Sequence, residues 1–174
     1  YIVLALIAVC TTILIFSFTM KSNHTNRKPI TGFDLNKYLG TWYELERFDH
    51  SFERGLSNVT ATYSMRDDGK VRVINRGMKD GKESVAEGKA KMNGEATTGH
   101  LKVSFFWIFY ADYIILSLDK NYETAIVAST SDKYLWFLSR KPEVSAEKKN
   151  EMIQFAKDAG FDTSKLIWVS HSSL

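Results

Sequence analysis

The sequence predicts an all-β fold: an eight-stranded antiparallel up-and-down barrel with one C-terminal α-helix packed outside it. Short runs of alternating apolar and polar residues follow one another from residue 32 onward, and this period is typical of half-buried strands. No helical segment separates two strands, so consecutive strands pair as hairpins, and closing the sheet removes its unpaired edges. Pairs that favour tight hairpins recur twelve and then thirteen residues apart: Asp68-Gly69, Asp80-Gly81 and Asn93-Gly94.

Composition and charge narrow the class of protein. The 174 residues are 44% hydrophobic and 25% charged, which is ordinary for a globular domain. The 23 basic and 20 acidic residues are interspersed, and a net charge of +3 argues against nucleic acid as a partner. A single cysteine, Cys10, excludes an intramolecular disulfide framework and a cysteine-rich metal site. We therefore expect no metal and no cofactor.

The N-terminal part of the chain forms a separate segment. Residues 1–20 contain no charged side chain, and a helix of this length rises about 30 Å, the thickness of the hydrocarbon core of a bilayer. We expect a hydrophobic signal or membrane-anchor helix over residues 1–20 and a polar tether over residues 21–31. The barrel domain is then predicted to occupy residues 32–174.

Three interpretations of this segment stay open. Ile7-Ala8-Val9-Cys10 resembles a bacterial lipobox, in which Cys10 is lipidated, although Val9 is larger than the usual residue there. A cleaved signal peptide needs an A-x-A-like site near residue 20, and Phe18-Thr19-Met20 is not one. An uncleaved anchor, with Lys21 as its first polar flank, is favoured by the length. All three bring the barrel to a membrane or across it.

The turn residues place the individual strands. The first strand begins at Gly40, and the chain leaves it between Arg47 and Phe52. A loop is expected through residues 109–111, because the alternation resumes at Tyr113. The remaining seven strands are predicted over residues 59–65, 71–75, 83–92, 100–107, 113–118, 124–129 and 134–138.

One helix is predicted after the last barrel strand. Ser145 is a suitable N-cap, and Gly160 supplies a C-terminal stop. One face of the helix is apolar at the i, i+3, i+4, i+7 spacing, which predicts that it packs on the outside of the barrel. Beyond it, residues 166–169 form an apolar run that can add a strand to the barrel edge. The residues of the apolar face are Met152, Phe155, Ala156 and Ala159.

Two distant segments carry a family resemblance. A glycine and a spaced tryptophan, Gly40-x-Trp42, open the first strand, and Leu138-Ser139-Arg140 closes the last. The flat guanidinium of Arg140 can stack on the indole of Trp42 and close the floor of a cup. With Ala111-Asp112-Tyr113 between them, these motifs make residues 33–169 resemble a lipocalin. The resemblance is greatest to the bacterial membrane-lipoprotein lipocalins and their apolipoprotein D-like relatives.

The resemblance implies structural roles for some residues and ligand-binding roles for others. Gly40, Trp42 and Arg140 are expected to be structural and to form the closed floor. Ala61, Tyr63 and Trp136 are expected to face inward by similarity to apolipoprotein D-like pockets, and alternation brings other residues to the same surface. The expected ligand-binding residues are Tyr63, Trp136, Ala61, Phe105, Tyr113, Leu138 and Phe48.

Several charged residues are predicted to lie near the mouth of the cup. Alternation places Glu44, Glu46 and Phe48 on the same face as Trp42, and two buried carboxylates without partners would be costly. We expect that a lysine or arginine meets them, that water surrounds them, or that the strand twists one outward. Arg47 and Arg54 near the mouth could meet a carboxylate or phosphate head group, but they are expected to be ordinary surface charges.

The residue pattern argues against catalysis. Among the four histidines, His50 and His100 are isolated in sequence and no HExxH pattern occurs. Asp49-His50-Ser51 contains the residue types of a triad, but adjacent residues at a strand end point apart and cannot relay a proton. We therefore predict that the chain is not an enzyme.

The predicted function is that of a membrane-tethered lipid-binding protein. A small barrel holds one ligand in an apolar, aromatic interior, and the resemblance implies that it carries or stores fatty acids or lysophospholipids in the cell envelope. For a Gram-negative source it implies the outer membrane or periplasm. The alternative is a tethered protein-interaction or envelope-stress module with incidental ligand binding. A homodimer is a further expectation.

Overall fold

The computed structural model describes residues 27–172, in which eight antiparallel strands close into a barrel. Each strand pairs with the next in the chain, and β1 pairs with both β8 and β2 to complete the closure. The predicted up-and-down topology is confirmed. The strands are β1 (Gly40–Phe48), β2 (Ser57–Met65), β3 (Val71–Lys79), β4 (Lys82–Met92), β5 (His100–Phe106), β6 (Phe109–Leu118), β7 (Thr124–Ala128) and β8 (Leu135–Ser139).

The alternating strand direction gives the barrel two different ends. A one-turn helix, α1 (Leu35–Tyr38), precedes β1 and lies at the closed end, where Arg140 follows β8. The opposite, open end carries the connections that follow β1, β3, β5 and β7. These open-end connections span residues 49–56, 80–81, 107–108 and 129–134.

The long helix forms where the sequence places it. In α2 (Ala146–Asp158) the Ser145 hydroxyl accepts from the Lys148 N–H. At the far end Gly160 adopts φ +82°, which lets the Phe161 N–H bond back to the Ala156 carbonyl. A 3₁₀ turn (Thr163–Lys165) then leads into β9 (Leu166–Trp168), which pairs with β1 as predicted.

Two apolar clusters hold these elements together. One fills the barrel interior and includes Trp42 and Tyr63. The other lies between the barrel wall and α2, where Met152 and Ala156 are buried against outward residues of β1, β7 and β8. The predicted helix face is therefore largely confirmed, except that the side chain of Phe155 is 37% exposed.

The connection between β5 and β6 differs from the sequence prediction. The loop expected through residues 109–111 is wrong, because β6 already begins at Phe109 and the β5–β6 connection is a tight turn at Trp107 and Ile108.

The predicted N-terminal helix and Cys10 lie outside the described residues. Arg27, inside the predicted tether, contacts the barrel. Within residues 27–172, no helix has the length and apolar character needed to cross a membrane.

Candidate functional site: a barrel cavity with a charged mouth

The closed end is sealed by the predicted stack. The guanidinium of Arg140 lies 3.9 Å from the centre of the Trp42 ring, and the indole N–H donates to the Tyr38 carbonyl at 2.8 Å. Gly40 has φ +96°, and a Cβ there would lie 3.2 Å from a guanidinium nitrogen of Arg140. Arg140 itself donates to the carbonyl oxygens of Lys37, Tyr38, Leu39, Thr41 and Tyr122.

Above this floor lies a cavity of about 140 Å³ whose walls are mainly apolar. Aliphatic side chains of β2, β3 and β5 line it, among them Val59, Val73 and Val103. Phe52, on the β1–β2 connection, lines its upper part. Six of the seven residues expected to bind ligand line this cavity: Ala61, Tyr63, Phe105, Tyr113, Trp136 and Leu138. Their contact with a ligand stays a prediction.

Three tyrosine hydroxyls form a chain near the cavity floor. The Tyr113 hydroxyl lies 2.6 Å from that of Tyr38 and 2.9 Å from that of Tyr63. Burial raises the pKa of all three phenols, so they stay neutral and keep their protons. Sequence reasoning missed Tyr38, because α1 is a single turn in which no apolar period can develop. Its ring centre lies 4.7 Å from that of Trp42, with the two planes tilted by 32°, and joins the floor to the cavity wall.

The expected inward position of Phe48 is wrong. The register between β1 and β8 shifts between Glu44 and Glu46, and this bulge reverses the alternation of the following residues. Glu44 lines the cavity, whereas Glu46 points outward and pairs with Lys149 of α2 at 2.9 Å. Phe48 packs edge-to-face on Phe161 outside the barrel, so it is no longer a candidate ligand contact.

The same bulge turns Arg47 inward, which corrects the expectation of a surface charge. Its side chain is 1% exposed and pairs with Glu44 at 2.7 Å. A second guanidinium nitrogen donates to the Glu53 carbonyl at 2.7 Å, and Nε lies 4.0 Å from the Glu53 carboxylate. Arg54, by contrast, is exposed and pairs with Asp49, as expected of a surface charge.

Glu53 links this charge cluster to the cavity wall. Its Oε2 accepts from the Trp136 indole N–H at 3.0 Å and lies 2.9 Å from His50 Nε2. His50 therefore pairs with Glu53, and not with the flanking Asp49 or Ser51. The cluster sits where the β1–β2 connection folds over the mouth. Sequence reasoning missed Glu53, because its partners are placed by the bulge and by a strand more than eighty residues away.

The charges in this cluster do not balance. Two buried carboxylates, Glu44 and Glu53, share the single guanidinium of Arg47. Burial and the neighbouring Glu53 raise the pKa of Glu44 to about 8, and the opposing attraction of Arg47 is too small to offset them. Glu44 is thus largely protonated at neutral pH and can donate a hydrogen bond beside the cavity. Within residues 27–172, no group of three or more His, Cys, Asp and Glu side chains is arranged to hold a metal ion.

Comparison with solved structures supports the same fold. The chain superposes on insecticyanin from the tobacco hornworm Manduca sexta with a TM-score of 0.70 and 23% identity, covering 84% of this chain and 85% of that one. It superposes on apocrustacyanin C1 with a TM-score of 0.67 and 21% identity, covering 80% and 81%. At these identities the likeness describes the fold alone.

Comparison of sequences identifies the family. The family model described as a lipocalin-like domain matches residues 33–171. The chain is 52% identical over 142 residues to the outer membrane lipoprotein Blc of Escherichia coli, covering 80% of each chain. It is 50% identical over 145 residues to that of Vibrio cholerae, covering 82% of this chain and 85% of the relative. The family model covers most of the chain and the two relatives are at least 50% identical to it, so the chain belongs to the lipocalin family, a family of non-enzymatic binding proteins.

Proposed function

We propose that this lipocalin binds one amphipathic lipid, of the fatty acid or lysophospholipid class, and carries or stores it in the cell envelope. The observation that supports this proposal is the cavity itself. Its walls are apolar and aromatic, it is closed below by Trp42 and Arg140, and its polar groups lie at two levels. An acyl chain fits the region between these levels, where each Å² removed from water contributes about 25 cal/mol.

The polar groups near the mouth favour a lysophospholipid with an ammonium head over a free fatty acid. The ionisable groups of the cluster include two carboxyl groups, and the one guanidinium is already bonded to the Glu44 carboxyl group and to the main-chain carbonyl of Glu53. In addition, the buried Asn75 side-chain oxygen lines the cavity and has no hydrogen-bond partner within the described residues. Such acceptors suit a head that donates hydrogen bonds, such as an ammonium or a glycerol hydroxyl. A fatty acid carboxylate offers no donor to the Asn75 oxygen or to Glu53, although the protonated Glu44 can donate one hydrogen bond to it.

The relatives support a place at a membrane. They are named outer membrane lipoproteins, and we propose that the present chain is likewise attached through residues 1–20, with Cys10 as the lipidated residue. Mass spectrometry of the mature N-terminus tests this directly. A diacylated cysteine at position 10 supports lipidation, whereas an intact or an unmodified processed N-terminus contradicts it. The predicted homodimer stays a prediction.

Lipid binding is tested by titration and by the mass of the protein purified under native conditions. We expect a co-purified lysophospholipid, and we expect Trp136→Ala and Tyr63→Ala each to weaken its binding about tenfold or more, which corresponds to about 1.4 kcal/mol. Trp168→Ala and Tyr43→Ala are the matched controls outside the cavity. Unchanged affinity in folded cavity variants contradicts the proposal. An empty barrel that binds no added lipid favours the interaction module instead.

A second experiment tests whether the cavity distinguishes lipid head groups. Asn75→Leu removes the unpartnered acceptor but keeps a side chain of similar size. We expect the affinity for lysophosphatidylethanolamine to fall and that for a fatty acid with the same acyl chain to stay constant. An equal change for both ligands would show that Asn75 does not read the head.

A further inference from the structure

The turn between β5 and β6 is covered with exposed aromatic side chains. We call residues 106–109 the aromatic tip. Phe106, Trp107 and Phe109 are 74%, 79% and 68% exposed, and Ile108 between them is also exposed. Uninterrupted exposed apolar runs of this kind are unusual on a soluble surface and mark contact sites for a partner or a membrane.

The backbone of the tip is not optimised for a turn. Trp107 adopts φ +49°, a left-handed conformation that glycine or asparagine adopts far more readily than a tryptophan. The large ring gains little packing in return, because it is mostly exposed. Phe106 and Phe109 stack on each other with their ring centres 6.5 Å apart. The tip thus presents three aromatic rings to the outside and lowers the stability of the folded state.

The position of the tip relates it to the cavity. It lies at the open end and follows directly on Phe105, which lines the cavity wall. Phe52, on the β1–β2 connection, also lines the cavity and is exposed at the same end. Whatever contacts the tip therefore lies beside the mouth through which a ligand enters.

Cationic side chains flank the tip. Lys91 Nζ lies 4.9 Å and Lys89 Nζ 5.8 Å from the centre of the Tyr110 ring, the residue that follows the tip. Within residues 27–172, neither lysine has a carboxylate at ion-pair distance, whereas Arg72 and Arg76 on the adjacent strand are each paired. Aromatic residues with flanking unpaired lysines match the interface of a bilayer that contains anionic lipid.

Arg27, the first described residue, lies near the same end. The Arg27 guanidinium lies 4.2 Å from the centre of the Phe161 ring and donates to the Ser129 carbonyl in the β7–β8 connection. It also pairs with Asp132 in that connection. Seventeen residue steps separate Arg27 from Cys10, the proposed lipidated residue, and they span at most about 60 Å. A tether that starts at this end of the barrel is therefore long enough to let the open end face the membrane that holds Cys10.

We propose that the aromatic tip docks on the membrane that holds the N-terminal segment and keeps the cavity mouth against the lipid surface. The bound lipid then passes between bilayer and barrel without crossing bulk water. The transfer step rests on the proposed lipid binding, but the docking contact does not.

Tryptophan quenching by brominated lipid tests the contact. The full chain is reconstituted into vesicles of phosphatidylethanolamine and phosphatidylglycerol, with or without bromine on the acyl chains. The emission of Trp107 is obtained as the difference between the native chain and Trp107→Tyr, and that of the half-exposed Trp168 as the difference from Trp168→Tyr. We expect loss of most of the Trp107 emission and little loss for Trp168. Equal quenching, or none at Trp107, overturns the proposal, including the case in which the tip instead binds a protein.

Two further measurements separate the possible failures. Lys89→Gln with Lys91→Gln is expected to reduce Trp107 quenching on these anionic vesicles and to leave it unchanged on phosphatidylcholine alone. An equal effect on both would contradict the role of the lysines. The affinity of Trp107→Tyr for monomeric lysophospholipid is expected to equal that of the native chain. If the native chain binds no lipid while Trp107 is quenched, the proposed function fails and the docking contact stands.

Discussion

The two ends of the barrel use arginine in opposite ways. At the closed end Arg140 donates to five backbone carbonyls and stacks on Trp42, so its charge is balanced by neutral acceptors. At the open end Arg47 is shared between two buried carboxyl groups, Glu44 and Glu53, and Glu44 keeps its proton at neutral pH. We infer that the closed end is organised for stability and the open end for contact with a ligand or a surface.

The largest expected effect concerns the closed end. Trp42→Ala removes a fully buried indole together with its hydrogen bond to Tyr38 and its contact with Arg140. We expect the free energy of unfolding to fall by about 5 kcal/mol, the upper range for such a truncation. Urea denaturation measures it. Trp168→Ala, which removes a half-exposed ring, is the control, and an equal loss in the two variants would contradict the assigned role of the floor.

The next effect concerns the open end. Arg47→Met keeps much of the side-chain volume but leaves Glu44 and the Glu53 carbonyl without their donor. We expect a loss of about 3–4 kcal/mol, because the buried Glu53 carboxylate loses its counter-ion and the other two acceptors lose their donor. Arg54→Met breaks an exposed pair with Asp49 and is expected to change stability by at most about 1 kcal/mol. If both variants unfold at the same denaturant concentration, the buried cluster contributes nothing to stability.

The two ends also differ in how well sequence predicts them. The closed end rests on a short motif, Gly40-x-Trp42, and on one residue at a strand end, Arg140. Both can be recognised without knowing the pairing of the strands. The expected stack forms because the strand closure fixes its geometry.

The open end depends on features that a one-dimensional pattern does not record. A bulge in β1 shifts the alternation after Glu44, so the residue pattern alone predicts the wrong faces for Phe48 and Arg47. The tight turn at Trp107 contains no glycine, asparagine or aspartate, so no turn signal marks it. In both places tertiary pairing overrides the local preference that sequence reasoning uses.

The pH dependence of stability sharpens the comparison. Between pH 4.5 and about 8, the folded chain keeps a proton on Glu44 that the unfolded chain has already released. Because the folded state binds more protons in this window, its stability falls as the pH rises through it. We expect Glu44→Gln, which resembles the protonated side chain, to remove this fall in stability. Glu46→Gln, on the outer face, is expected to keep it. The same slope in Glu44→Gln as in the native chain would show that Glu44 is ionised throughout.

The smallest expected effect addresses why the open end carries its exposed rings. Asparagine adopts the left-handed conformation of Trp107 more readily than tryptophan, and the ring it would replace is mostly exposed. Trp107→Asn is therefore expected to stabilise the fold by about 0.5–1 kcal/mol, measured by urea denaturation. A loss of stability would mean that the ring packs usefully on the barrel. A gain, joined to loss of the lipid contact proposed above, would mean that the tip is kept for an external surface at the expense of the fold, which is the opposite of the role of Trp42.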